Sequence, residues 1–468
     1  QVTRYPKMMN AYEYASLYNE AIYNNDPWRG ANAYSQEQLM AYRNGTAGTD
    51  WWGETMRSTA PQTSHNLSVT GGTERVKYYM SVGYMDQGGI LRSEDWNYKR
   101  YNVRSNLSVE ITKGLNVELG LSGRYDNRKR PYDADNLFRS AQMAIPTYSI
   151  YANDNPDYWG GVGDMANPVH VSDSEYSGNE DRLRREFNGS LALTWKFPWV
   201  KGLIAKALVA YDYTNTEWKT WRRDLTEYTY DYANEEYVGK EINTAYLESK
   251  FENYEKPTYQ FSLNYNNTFA KRHNIGATFV WEMYNDKKNW VTGTRDFAIG
   301  LIPDLDYGND SNQKSSGKTQ KTAHAGWVGR LNYDYGNRYL VEFNFRYDGT
   351  YKFQRGNRWG FFPGVSLGWR VSEEDFFKKL LPDMDNLKIR ASYAKVGDEG
   401  DFDAFQYLDG YTSHGSYIMG SGGVTSGMTT VGMANSWLTW YESKIMNVGF
   451  EVSYHRGLIS MEFDWFRR

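Results

Sequence analysis

The sequence lacks cysteine and has only six histidines among its 468 residues. Without cysteine the chain can form no disulfide, thiolate nucleophile or zinc ribbon. The histidines show no pair with metal-ligand spacing, so a zinc site is not expected. An excess of basic charge is missing as well, because the net charge is −4. Nucleic acid is therefore not expected as a partner, since its recognition needs clustered basic residues.

The sequence also contains no run of about eighteen apolar residues, the length that a transmembrane helix requires. Its mean hydropathy is low, at −0.76. Neither property excludes a membrane protein built from strands. A barrel strand alternates apolar and polar residues, and its polar half lowers the average hydropathy.

Aromatic residues and glycine are abundant, with 41 Tyr, 17 Trp and 43 Gly. This composition favours strands and turns over helices. Residues 1–64 differ from the rest because they predict short helices. One begins at Asn10, and a second has a capping box of Ser35 and Gln38 and ends near residues 44–45. We treat 1–64 and 65–468 as separate units.

From His65 onward, apolar and polar residues alternate in runs of about nine to eleven residues. The clearest example is the hairpin on either side of Gly336 and Asn337. Its apolar face is Trp327, Leu331, Tyr333, Tyr335, Tyr339, Val341, Phe343, Phe345 and Tyr347. Its other face carries charges of both signs, among them Arg330 and Glu342. The period of two predicts about fourteen strands over the chain.

The connections between these strands alternate between short and long. The short ones are Gly71–Val76, Ile111–Gly114, Pro198–Gly202, Lys271–Asn274, Gly336–Asn337 and His455–Gly457. The long ones are Asp126–Arg184, Thr214–Lys256, Asn285–Lys321 and Gly397–Tyr441. Short turns at one end and long loops at the other are typical of outer-membrane barrels.

Each hairpin has two interpretations. A soluble antiparallel sandwich would bury the apolar face against a second sheet, whereas a membrane barrel would turn that face to lipid. Strands of about ten residues, tilted near 45°, span the apolar band of about 25 Å. Aromatic residues such as Trp327 and Tyr347 concentrate at strand ends, as at membrane interfaces. The sequence therefore predicts an all-β fold, a transmembrane antiparallel β-barrel.

Five blocks in a fixed order carry a resemblance to a known family. They are residues 65–91, 97–123, 329–377, 385–400 and 438–466, and the third contains GRLNYDYGNRYLVEFNFRYDG. The ordered series resembles the SusC/RagA-type TonB-dependent outer-membrane transporters. Residues 1–64 are similar to the first extracellular excursion of that family.

The resemblance implies a barrel of about twenty-two strands, filled by an N-terminal plug, in the outer membrane of a Gram-negative bacterium. About fourteen strands would lie in this chain, as part of a longer polypeptide whose plug and remaining strands are absent here. Short periplasmic turns and long extracellular loops would connect them.

The resemblance also implies TonB-dependent import of an oligosaccharide or a peptide. The implied partners are a SusD-like surface lipoprotein, the TonB complex, outer-membrane lipid and a second transporter–lipoprotein pair. No enzymatic activity and no cofactor are expected. A passive porin-like channel and a soluble carbohydrate-binding β-sandwich remain the alternatives.

Two acidic clusters contain the residue types of catalytic or metal-binding groups, and both have a simpler interpretation. Glu373, Glu374 and Asp375 are better interpreted as a polar connection between strands, with Ser372 capping a helical turn. Asp304, Asp306, Asn309 and Asp310 offer oxygen ligands to calcium. Their spacing is not that of an EF-hand, however, and a solvated acidic loop is the favoured interpretation.

Aromatic residues in two long loops are the candidate substrate-binding residues. Asp157, Tyr158 and Trp159 lie in the segment NDNPDYWGG, and Tyr407 and Tyr411 lie in the last long loop. Aromatic faces beside amides and carboxylates suit sugar rings or peptides. The alternative is that Tyr158 and Trp159 pack their loop on itself. Gly397–Tyr441 is also the predicted contact with the surface lipoprotein.

Overall fold

The computed structural model describes residues 7–25, 32–298, 300, 302–400, 402–420 and 423–468. The strands of this part are β1 Gln62–Gly72, β2 Val76–Gly88, β3 Asn97–Thr112, β4 Leu115–Pro131, β5 Gly178–Lys196, β6 Leu203–Arg222, β7 Leu225–Asp231, β8 Glu236–Asn243, β9 Tyr246–Phe269, β10 His273–Asp296, β11 Lys314–Tyr335, β12 Tyr339–Thr350, β13 Trp359–Arg370, β14 Met384–Asp398, β15 Tyr411–Met419, β16 Gly423–Thr430, β17 Tyr441–Tyr454 and β18 Ile459–Arg467.

The helices are short and lie outside the sheet. They are α1 Ala11–Asn25, α2 Gln36–Arg43, α3 Trp51–Thr55, α4 Ala134–Met143, α5 Pro168–Ser172, α6 Ser174–Ser177 and α7 Asp375–Leu380. The described residues also contain four 3-10 turns, at Ala152–Asp154, Leu305–Tyr307, Asp310–Asn312 and Val371–Glu373. Within the described ranges, every helix is too short or too polar to cross a bilayer.

Fourteen strands form one antiparallel sheet in the order β1-β2-β3-β4-β5-β6-β9-β10-β11-β12-β13-β14-β17-β18. Each strand pairs with its neighbours along the chain. The hairpins β7–β8 and β15–β16 are separate two-stranded sheets inserted into long connections. The predicted all-β class and the count of about fourteen sheet strands are confirmed. Among the described residues β1 and β18 do not pair with each other, so the sheet is open.

The six predicted short turns all join consecutive strands of this sheet. In the turn after β11, Gly336 has a φ of 58° and Asn337 a φ of 62°. The Arg338 amide donates to the Tyr335 carbonyl at 3.0 Å. Two central residues with positive φ twist in the sense that antiparallel strands require. Asparagine tolerates this conformation better than most residues. The backbone N–H of Asn337 donates to the Asp334 carboxylate at 2.7 Å and helps to fix the turn.

Several strands extend beyond the predicted nine to eleven residues, at the end opposite the short turns. β9 and β10 have 24 residues each and β11 has 22. The predicted loops Thr214–Lys256 and Asn285–Lys321 therefore shrink to 223–245 and 297–313. The alternation detects only the part of a strand whose outer side chains must be apolar. Beyond it the backbone pairing continues, but both faces carry polar residues and the period-two signal disappears.

One face of the sheet, here called the outer face, is a continuous apolar surface. Its side chains include Leu67, Val82, Val103, Leu191, Val209, Leu331, Phe343, Leu367, Ile389 and Val448, all exposed. No second sheet packs on it in the described part of the chain, so the soluble sandwich is wrong. An apolar surface of this extent is expected where lipid covers it.

The buried core lies away from this face, among the helices and long connections. One cluster joins Met56 and Leu91 to Leu137 and Ala141 of α4. A second contains Trp51, Ala144 and Val162, and a third contains Trp221, Ala245, Leu247 and Phe297. The segments between the strands therefore have hydrophobic cores of their own and are not loose loops.

The two predicted helices of residues 1–64 are present. Asn10 and Glu13 accept each other's backbone amides at the start of α1, at 2.8 and 3.1 Å. Ser35 and Gln38 form the predicted capping box of α2, whose C-cap is residue 44. The boundary at residue 64 stays a prediction.

Candidate functional site

The face opposite the apolar surface, here called the inner face, is lined with ion pairs. Arg330 on β11 donates to Glu342 on β12, with Nε 3.0 Å from the carboxylate. Arg346 pairs with Asp348 at 2.8 Å and with Glu282 at 3.2 Å. The charges that were predicted to pair across strands therefore do so, along a surface suited to a hydrated lumen.

A group of arginines stands out on the inner face, near the end with the long connections. We call it the arginine patch, and it consists of Arg100 on β3, Arg124, Arg128 and Arg130 on β4, and Arg182 and Arg184 on β5. Its members occupy alternate positions on neighbouring strands, which places them on one face. The register sets Arg128 opposite Arg182. Like charges directly opposite each other are unfavourable unless other groups compensate them.

Carboxylates compensate four of the six arginines. Arg124 pairs with Asp126 at 2.7 Å, and Arg182 reaches the other oxygen of Asp126 at 3.6 Å. Arg184 contacts Glu186, and Arg130 pairs with Glu180 and with Asp135 of α4. Asp126 is fully buried.

Arg100 and Arg128 have no carboxylate within 4.0 Å in the described part of the chain. Both side chains are partly buried. The Nε atoms of Arg100, Arg128, Arg182 and Arg184 are all buried without a hydrogen-bond partner. Buried polar groups are normally satisfied, so unsatisfied guanidinium nitrogens indicate a place for further acceptors.

The sequence already contained a signal for the arginine patch. Arg128 and Arg130, like Arg182 and Arg184, are two residues apart, which is the spacing of neighbours on one face of a strand. Because these residues fell within a predicted loop, Asp126–Arg184, their alternation was not interpreted as strand.

An aromatic and cationic group continues the inner face next to the patch. Trp218 on β6 lies opposite Arg182, and Lys250 on β9 lies opposite Trp218. The Lys250 ammonium lies 4.7 Å from the centre of the Trp218 ring and 5.5 Å from that of Trp290. Both distances fit cation–π contacts.

The predicted substrate residues Tyr158 and Trp159 have rings covered by other rings. Tyr158 stacks on Tyr237 of β8, with centroids 3.8 Å apart. Trp159 stacks on the buried His170 of α5, with centroids 4.5 Å apart. Tyr158 thereby packs the connection 132–177 against the hairpin β7–β8, whereas the Trp159 ring packs inside that connection, against Tyr151, His170 and Tyr176. Asp157 is exposed beside them.

A buried polar network fixes this packing. Asn167 caps α5 by accepting from the Val169 amide at 3.1 Å, and its side chain donates to the carbonyls of Ile150 and Gly160. The backbone N–H of Asn167 donates to the carboxylate of Glu227 on β7 at 2.7 Å. The network links β7 to the connection 132–177.

Tyr407 and Tyr411 lie in the separate connection between β14 and β17. Tyr407 is partly buried against Phe405, while Tyr411 begins the hairpin β15–β16 and is 69% exposed. In the part of the chain that the structure describes, no hydrogen bond, ion pair or ring contact joins them to Asp157, Tyr158 or Trp159. The five residues do not form one cluster.

The two acidic clusters have structural partners. Asp310 pairs with Arg295 at 3.1 Å. Across the described ranges no group of three or more metal-ligating side chains is assembled. Glu374 accepts from the Tyr339 hydroxyl at 2.7 Å, from the Trp369 indole at 3.2 Å and from Arg338 at 3.2 Å. The hydrogen bond from Tyr339 is the main cause that lowers the pKa of Glu374.

The prediction that Ser372 caps a helical turn is wrong. The N-cap of α7 is Glu374, and no side chain caps that helix. Ser372 is instead buried inside the preceding 3-10 turn. The physical reason is that a 3-10 turn over Val371–Glu373 separates Ser372 from the start of α7. The carboxylate of the actual N-cap, Glu374, accepts from Tyr339 and Trp369 instead of from the first amides of the helix.

Comparison with known proteins gives relatives over nearly the whole chain. The TonB-dependent receptor SusC of Bacteroides thetaiotaomicron is 25% identical over 500 residues, which cover 96% of this chain and 46% of that protein. The TonB-dependent receptor P39 of Formosa agariphila is 26% identical over 411 residues, or 85% of this chain and 36% of that protein. The chain thus spans less than half the length of these relatives. No family model matches it.

Solved structures agree on the fold. The structure of the RagAB peptide transporter matches 98% of this chain and 52% of that chain with a TM-score of 0.73 at 18% identity. The RagAB peptide importer in its open-open state gives a TM-score of 0.74. Together these relatives confirm what the sequence predicted, a resemblance to the SusC/RagA-type TonB-dependent transporters of the Gram-negative outer membrane.

Proposed function

We propose that the whole protein imports an oligomeric nutrient, an oligosaccharide or a peptide, across the outer membrane with energy delivered by the TonB complex. The observation that carries this proposal is that one fourteen-stranded sheet has two chemically different faces. The outer face is apolar, and the inner face is charged. A surface of that kind is what a polar solute needs in order to pass a bilayer without meeting lipid.

The extracellular connections would receive the substrate. They have packed cores and buried polar networks, so they can present side chains in fixed positions. Asp157 and Tyr411 are the predicted substrate residues whose side chains are exposed. Tyr158, Trp159 and Tyr407 would contribute by holding the loops in shape around the ligand.

The hairpin β15–β16 is the surface that we assign to a SusD-like lipoprotein. Its exposed apolar side chains are Tyr411, Tyr417, Ile418, Val424 and Met428, followed by Val431, Met433 and Trp437. Clustered exposed apolar side chains on a water-soluble loop indicate a protein contact. A pair of such transporter–lipoprotein units joined as a dimer belongs to the same proposal.

Uptake in cells tests the import proposal. Cells that carry the full-length gene should accumulate a fluorescent oligosaccharide or peptide from a mixed pool, and should stop when TonB is deleted. Continued uptake without TonB, together with a steady ionic conductance of the purified protein in planar bilayers, would instead establish the passive porin-like channel.

A further inference from the structure

We propose that the arginine patch is a binding site for an anionic group, a carboxylate or a sulfate, carried by the imported molecule. The proposal rests on the proposed import function and names a substrate class for it. It starts from the charge balance. The patch has six arginines, and its carboxylates are Asp126, Glu180, Glu186 and Asp135, so two positive charges remain.

The two unpaired arginines are the ones placed to act together. The register sets Arg100 opposite Asp126 and Tyr98 opposite Arg128. Arg100 and Arg128 are therefore diagonal neighbours on adjacent strands, where backbone positions lie about 7–8 Å apart. Long side chains at such positions can converge on one oxyanion. A guanidinium offers two parallel donors that match the two oxygens of a carboxylate or sulfate.

Partial burial makes this interaction stronger than an ion pair at an exposed surface. The neighbouring arginines Arg130 and Arg182 have side chains only 13% and 27% exposed. In such a setting water screens the charges less, and positive groups that repel each other gain from an anion placed between them. The unsatisfied Nε atoms of the patch supply donors to that anion.

The position of the patch suits a ligand on its way into the lumen. It lies on the inner face toward the extracellular end, and Trp218 and Lys250 continue it on the next strands. A ligand whose anionic group binds the patch would extend its uncharged part toward Trp218. The patch would thus distinguish acidic oligomers from neutral ones of the same length.

The test uses the purified full-length protein and two matched pairs of probes. One pair is hexagalacturonate and maltohexaose, and the other is two amidated hexapeptides that differ only in Glu against Gln. The acidic member of at least one pair should bind about tenfold or more tightly than its neutral member, and added salt should weaken only the acidic one. The pair that responds identifies whether the anion comes from a sugar or a peptide.

Substitutions locate the site. Arg100→Gln with Arg128→Gln should remove the preference for the acidic probe and leave the neutral probe unchanged. Arg185→Gln is the matched control, because Arg185 lies on the same β5 strand with its side chain on the opposite face, paired with Glu217. Arg100→Lys with Arg128→Lys keeps both charges and should retain part of the preference.

The outcomes separate this site from the import proposal. Equal affinity for both members of both pairs, or binding of neither, would overturn the anion site. A destabilised double variant whose ligand preference is unchanged would also overturn it, and would indicate that acidic side chains from the rest of the protein occupy the patch. In the cellular uptake assay, TonB-dependent uptake that does not distinguish acidic from neutral probes counts against the anion site alone. If cells that carry the full-length gene show no TonB-dependent uptake of any probe, the result counts against import.

Discussion

Neighbouring residues on one strand of this sheet meet different solvents. Phe343 lies on the outer face and is 42% exposed, whereas Asn344 lies on the inner face and donates to Glu342 at 3.2 Å. We expect Phe343→Arg to lower the free energy of unfolding in lipid vesicles by about 2–4 kcal/mol, because the guanidinium would enter the bilayer midplane. Val341→Arg should behave in the same way. Denaturant titration of the full-length protein in vesicles measures the effect.

Asn344→Arg is the control for the outer-face substitutions. It introduces the same side chain one position away, on the hydrated inner face. Its effect on the free energy of unfolding should be much smaller than that of Phe343→Arg. Equal effects at the two positions would mean that the outer face does not contact the bilayer core.

Glu374 should make the stability of the folded protein depend on pH. Hydrogen bonds from Tyr339 and Trp369 lower its pKa below the ordinary value of 4.5. A lowered pKa in the folded state contributes stability above pH 4.5, and this contribution is lost as the pH falls through the folded value. We expect Glu374→Gln to lower the melting temperature of the full-length protein at pH 7 and to reduce the loss on acidification to pH 3.

The neighbouring Glu373→Gln provides the comparison. Glu373 pairs with Lys378 at 2.7 Å and contacts neither Tyr339 nor Trp369. That variant should keep the acid response of the unmodified protein. If Glu374→Gln melts with the same pH dependence as Glu373→Gln, the hydrogen bonds to Glu374 do not stabilise the folded state.

At the scale of elements, the two inserted hairpins differ in exposure. β7–β8 contributes Tyr237 and Glu227 to the packing of the connection 132–177, whereas β15–β16 projects exposed apolar side chains. Ile418 and Val424 are cross-strand partners and are 77% and 71% exposed. We expect Ile418→Asp with Val424→Asp to reduce co-purification of the surface lipoprotein about tenfold or more, because both charges would be buried without partners.

Val238→Asp on the other hairpin is the matched control, since Val238 is 51% exposed and also lies on a short strand of an inserted hairpin. It should leave the amount of co-purified lipoprotein unchanged. Normal co-purification with the β15–β16 variant would place the lipoprotein contact elsewhere on the extracellular surface.

The elements also differ in how far the sequence predicts them. The fourteen sheet strands were predictable because lipid on one face and water on the other impose a period of two. This period of two does not predict β10 beyond residue 284, or β7–β8, because polar residues there occur on both faces. The stacking of Tyr158 on Tyr237 joins residues of different connections, and no local pattern encodes such a contact. Four members of the arginine patch alternate in the sequence, but they lie in Asp126–Arg184, where the polar residues of both faces predict a loop instead of strand ends.

At the scale of the whole molecule, the open sheet has a thermodynamic consequence. β1 and β18 each pair on one side only in the described part of the chain. An unpaired strand edge exposes backbone amides and carbonyls, and lipid cannot hydrogen-bond to them. We therefore expect residues 1–468, expressed alone, to form no stable monomer in lipid vesicles, whereas the full-length protein folds.

Heat-modifiable migration on gels measures this difference, because a folded outer-membrane barrel resists unfolding until it is heated. The full-length protein should migrate differently before and after heating, and residues 1–468 alone should not. A heat-modifiable monomer of residues 1–468 would mean that β1 and β18 can pair in lipid. Closure would then be a property of these fourteen strands, and the plug and the lumen would have to fit a narrower barrel than that of the larger relatives.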